Sequence, residues 1–122
     1  LLAVDRNNPN VASLYNPLEP AVIRALHDAI RDARDCGKPM SVCGEMAADP
    51  GSAILLLGMG LPAVSVSASA VLRVKWTIRS LSSLRAREIL SRALHMESAG
   101  DVRALLDEEL RHAGLGELLL DA

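Results

Sequence analysis

Cys43 has the widest chemical reach of the side chains here, and it stands in Ser41-Val-Cys-Gly-Glu-Met-Ala-Ala-Asp-Pro50. A thiol can be a nucleophile, a metal ligand or a general acid. Thiols as a class are protonated at neutral pH, so as acids they are matched to protonating carbon. Cys43 closes a short apolar run, Met40-Ser-Val, that reads as a buried strand. Gly44 follows it and lets backbone approach a ligand closely. Glu45 is spaced to point into the same mouth, and Asp49-Pro50 has the chemistry of a helix start. In an α/β barrel the C-terminal ends of the strands carry the active site, which is where this thiol would lie. The alternative is a buried structural cysteine.

Arg6 is the second candidate. It lies in the polar stretch Asp5-Arg-Asn-Asn-Pro-Asn10, just after the apolar Leu1–Val4. A guanidinium delivered from such a place suits bidentate contact with phosphate or carboxylate. Taken alone, it reads more simply as a solvated loop arginine paired with Asp5. His27, His95 and His112 stand apart from any cluster with metal-ligand spacing and read as surface or helix-end residues. Gly58-Met-Gly60 follows a predicted helix and precedes a predicted strand, the wrong order for a dinucleotide loop, so it reads as a tight turn.

The elements that must position these residues follow from apolar spacing and turn chemistry. Pro20 opens a helix in which Val22, Ile23, Leu26, Ala29, Ile30 and Ala33 share a face; Gly37 ends it and Pro39 prevents continuation. A strand over Met40–Cys43 follows, then a short helix from Asp49-Pro50 that Gly58 and Gly60 stop. Ala63–Ala68 is a second strand. Ser69 caps a helix through about Ser80, Ser82 or Ser83 another through Leu94, and Ser98-Ala-Gly-Asp101 a last one that Gly114 ends. Alternating helices and short apolar strands indicate a parallel sheet covered by helices. Two strands do not complete such a sheet. The expected fold class is therefore α/β: either the chain folds only with other material, or it is the closing third of a barrel, with residues 1–122 forming one piece and no internal boundary.

Composition narrows the partners. A formal net charge of −2 gives no reason to expect nucleic acid or an anionic membrane. The uncharged stretch from Pro50 to Leu72 is long enough for a membrane span, but Gly51, Gly58, Gly60, Pro62 and alternating serines divide it. No Phe is present, so the core must be Leu, Val, Ile, Ala and Met, with Trp76 as its one very large piece. Cys36 and Cys43 do not make a secreted disulfide framework; free thiols in a reducing cytoplasm are expected. The chain begins at Leu1 without a leader-type segment, which reads as a cut inside a longer protein.

Four stretches, in order and spacing, carry a resemblance: Leu2-Ala-Val-Asp-Arg-Asn-Asn8, the Cys43 decapeptide, Leu55-Leu-Leu-Gly-Met-Gly-Leu61 and Val64-Ser-Val-Ser67. They resemble enzyme I, the phosphoenolpyruvate-protein phosphotransferases, along essentially the whole chain. The Asp-Arg-Asn-Asn-Pro wording looks more like the nitrogen-regulatory branch, because the sugar-transport branch usually has glycine where Asn7 stands. Ala48 departs from a glycine frequent in both.

The resemblance implies a (β/α)8 barrel that binds phosphoenolpyruvate (PEP) and Mg²⁺ and forms a homodimer in the cytoplasm. The phosphoryl group would pass to a histidine on a separate domain and then to an HPr-like phosphocarrier protein, leaving pyruvate. Cys43 matches the family's proton donor to the enolate carbon, and Arg6 matches an arginine that binds the phosphoryl group. Gly44 and Glu45 belong to the same motif and are expected to support substrate. The Mg²⁺ ligands and the phosphorylated histidine are expected upstream of Leu1, so the chain alone is expected to be inactive. Two other readings stand beside this one: the barrel of a PEP synthase or pyruvate phosphate dikinase, and a non-catalytic dimerisation module.

Overall fold

The computed structural model describes residues 3–5 and 7–120. Its long first helix, α1 (Pro20–Asp35), starts where proline's fixed φ suits the first turn and ends at Gly37. Ile23 and Ile30 are buried on one face. The Arg24 guanidinium donates to the carbonyls of Leu94 and Met96, at 3.1 and 3.2 Å. That contact ties α1 to a turn some seventy residues away.

Two parallel strands follow, β1 (Ser41–Cys43) and β2 (Ala63–Ser65), paired Ser41 with Ala63, Val42 with Val64 and Cys43 with Ser65. Side chains alternate across a strand. Val42 and Val64 therefore turn together towards the apolar core, while Ser41, Cys43, Ala63 and Ser65 share an exposed face.

Between the strands run α2 (Glu45–Ala48) and α3 (Pro50–Gly58). Asp49 caps α3, its carboxylate accepting from the Ser52 N–H at 2.7 Å and the Ser52 hydroxyl at 2.6 Å. The same carboxylate accepts from Arg103 at 3.2 Å. Nearly every side chain of α3 is buried, as its sequence, free of charge and apolar but for Ser52, requires. It lies against α2, α4 (Ala68–Ser80), α5 (Ser83–Ala93) and α6 (Ala99–His112).

Ser82 caps α5 and Ser98 caps α6. In the latter the side chain of Asp101 accepts the Ser98 hydroxyl at 2.7 Å, a capping box closed through the hydroxyl. Glu109 of α6 is buried, with 4% of its side chain exposed, and accepts from Arg85 and Arg92 of α5 at 2.9 Å each. No described helix is long and apolar enough to cross a membrane.

The architecture is the expected mix of parallel strands and covering helices, with corrections. Trp76 is not core: it is 46% exposed on α4, beside the exposed Leu72. Leucine, isoleucine and alanine fill the core without it. Gly58 does not stop α3 but is its last residue; a Cβ there would sit 2.5 Å from the Ala86 carbonyl oxygen, so glycine is needed for α3 and α5 to touch. β2 ends at Ser65, sooner than expected. Ser67, not Ser69, precedes α4, and its hydroxyl meets that of Ser69 at 3.0 Å instead of capping backbone. The short α2 and the 3-10 turns Ala12–Leu14 and Gly116–Leu119 were not foreseen. His27 is half-buried, whereas His95 and His112 are exposed.

Candidate active site at the strand ends

Cys43 is the last residue of β1 and is exposed, with its thiol free. Within this chain it is therefore not a buried cysteine. Its neighbour across the ladder is Ser65, the last residue of β2. Parallel register puts both side chains on the same face and at the same height. Sulfur and hydroxyl thus stand side by side at the C-terminal end of the sheet.

The chain must leave that point sharply, and Gly44 makes it possible. Its φ of 99° and ψ of −166° fall in a region that only glycine populates freely. Glu45, exposed, opens α2 directly after the turn. Ala47 is fully buried and anchors that short helix. Asp49 then fixes the far end, held by Ser52 on one side and by Arg103 of α6 on the other. The decapeptide therefore divides by role. Its first residues end a strand and turn, and its last ones start and pin α3.

Of the expected site residues, Cys43, Gly44 and Glu45 are consecutive at this strand end. Arg6 lies outside the described residues. The segment before it borders a largely apolar cleft of about 600 Å³ lined by Ala3, Val4, Asp5, Leu14, Tyr15 and others. The Asp5 carboxylate accepts from the Asn7 N–H at 2.9 Å, closing the local turn.

Among the described residues no three His, Cys, Asp or Glu side chains gather in a way that could hold a metal ion. These residues alone do not fit the expected Mg²⁺.

Ser65 was passed over in the sequence, where it appears only as one of the alternating serines 65, 67 and 69. The signal that would have found it is parity. Counting back in twos from Ser67 puts Ser65 on one face of the strand, and a parallel register then sets it against Cys43. Arg103 was invisible for another reason: its partner Asp49 is 54 positions away.

An exposed thiol at the C-terminal end of parallel strands, with helices behind them, stands where α/β enzymes place their active sites. The chain belongs to the PEP-utilising enzymes, whose PEP-binding domain model matches residues 1–83. It is 37% identical over 119 residues to the "Phosphoenolpyruvate-dependent phosphotransferase system" protein of Salmonella typhimurium, covering 98% of this chain and 16% of that protein. It is 41% identical over 106 residues to "Multiphosphoryl transfer protein 1" of Escherichia coli, covering 87% and 13%. With the "Phosphoenolpyruvate-protein phosphotransferase" of Haemophilus influenzae it shares 38% over 109 residues, covering 89% and 19%. The chain thus spans less than a fifth of the length of each of these relatives.

Proposed function

We propose that this chain closes the (β/α)8 barrel of a PEP-protein phosphotransferase and contributes the proton donor, Cys43. The observation that carries the proposal is the exposed thiol at the C-terminal end of a parallel strand, in a family defined by PEP binding. The names of the relatives point the same way.

Removal of the phosphoryl group from PEP leaves an enolate whose terminal carbon carries the electron pair. The Cys43 S–H bond breaks, its proton forms the new C–H bond, and pyruvate departs with the thiolate left behind. In reverse, the thiolate takes a proton from the methyl group of pyruvate. Arg6 binds the phosphoryl group and offsets charge that develops during transfer. Gly44 and Glu45 shape the turn beside the reacting carbon.

The phosphoryl group goes to a histidine on a domain outside this chain and then to an HPr-like carrier. Mg²⁺, held by residues outside the chain, would supply charge neutralisation at the phosphate. The full protein acts as a cytoplasmic homodimer, and the Asp5-Arg-Asn-Asn-Pro9 stretch favours the nitrogen-regulatory branch.

The test is Cys43→Ala in the full-length protein. General acid catalysis contributes about 10²–10⁴-fold, so pyruvate formation should fall by at least about a hundredfold with the fold intact by circular dichroism. PEP should also protect Cys43 from alkylation. Turnover near that of the parent, or alkylation indifferent to PEP, would overturn the assignment.

A further inference from the structure

From the ladder register we infer that Ser65 is a positioning residue for the Cys43 thiol. The inference rests on the proposed proton-donor role of Cys43 and deepens it.

Cys43 and Ser65 are register partners at the ends of adjacent parallel strands, and both are exposed on the same face. Neighbouring strands lie about 4.8 Å apart, so rotation about χ1 is enough to bring a thiol and a hydroxyl into hydrogen-bonding range. Neither side chain hydrogen-bonds to another described residue, whereas the next serine on this parity, Ser67, is engaged with Ser69. Ser65 is therefore uncommitted, beside a sulfur that must exist in two states.

A hydroxyl serves both states. Its oxygen accepts from S–H when the donor is charged for proton delivery, and its proton turns to the thiolate once delivery is complete. Alanine, paired in the same way with Ser41 at the other end of β2, offers neither function. In this role Ser65 acts through the sulfur. It holds the sulfur in line and lowers the penalty of leaving it as an anion.

The experiment uses the full-length protein with Ser65→Val, Ser65→Thr and Ser65→Ala. Valine and threonine share a shape, so they isolate the hydroxyl, and alanine adds no bulk should valine disturb the fold. Two readouts are taken: kcat and KM for PEP, and the rate of Cys43 alkylation by iodoacetamide at pH 7, resolved by peptide so that Cys36 does not interfere. Loss of the hydroxyl in Ser65→Val and Ser65→Ala should lower kcat about tenfold, with KM within about twofold, because a hydrogen bond to a charged group is lost. Alkylation should slow about threefold, since the attacking sulfur loses the hydroxyl that holds it in place. Ser65→Thr should restore both.

Alkylation unchanged in both Ser65→Val and Ser65→Ala overturns the inference whatever turnover does. A raised KM at constant kcat overturns it too, by making Ser65 a substrate contact. Slower alkylation with normal turnover upholds the thiol contact and sinks the proton-donor reading, so the two failures are distinguishable.

Discussion

At the Cys43 corner, three adjacent residues solve three different physical problems. Cys43 needs to be reachable, Gly44 needs a backbone geometry closed to other residues, and Glu45 needs to start a helix at once. A Cβ at Gly44 would meet no other atom within 4 Å, so the demand there is conformational and not one of space. Gly44→Ala should therefore cost about 1–3 kcal/mol of backbone strain, or displace the thiol to relieve it. Urea unfolding distinguishes the outcomes: a lower midpoint means strain is retained, while an unchanged midpoint with altered alkylation of Cys43 means the corner has moved. Gly58 is the opposite case, because its missing Cβ makes room for the backbone of Ala86. Gly58→Ala should destabilise by about 1–3 kcal/mol through overpacking, read from the same unfolding curves. Glu109 is buried between two arginines. Glu109→Ala should cost roughly 2 kcal/mol, because it removes the acceptor of Arg92 and one of the two acceptors of Arg85.

Helix starts in this chain are set by single side chains, and they can be switched off one at a time. Ser98→Ala should lower stability by about 1 kcal/mol and fray the first turn of α6, seen as a loss of helical circular dichroism. Asp49→Ala should cost more, because that carboxylate both caps α3 and receives Arg103. These caps were legible in the sequence because they act over three residues: Asp49 on Ser52, Ser82 on Arg85 and Ser98 on Asp101. Helix ends at Gly37 and Gly114 were legible for the same local reason. What escaped depended on distant partners. Gly58 looked like a stop because Ala86 could not be seen opposite it. The strand end carrying Cys43 was readable from its apolar run and glycine, whereas Ser65 became visible only with the register. Trp76 was misplaced on hydrophobicity alone, although the residues packed around α3 leave it outside.

The molecule as a whole is a helical body with a small sheet on one side, and its one tryptophan lies on the outer face of α4. Arg73, Lys75 and Arg79 accompany it, and α4 has no acidic residue. Iodide should therefore quench Trp76 more efficiently than caesium in the 122-residue chain, since the surrounding cations attract the anion. Equally efficient quenching by both ions would mean that the neighbouring cations do not act on this side chain, and weak quenching by both that it is sheltered. In the full-length protein, a loss of quenching at Trp76 would show that other parts of the barrel cover this face.

The burial of α3 on every side has a kinetic consequence. Amides in its final turns, near Leu55 and Leu56, can trade their protons for deuterons only when neighbouring helices separate, so they should be the last to do so. The three-residue strands are shielded on one face alone and should open far more often. The thiol would then ride on the most restless part of the molecule while being anchored, through Asp49, to its most quiescent one.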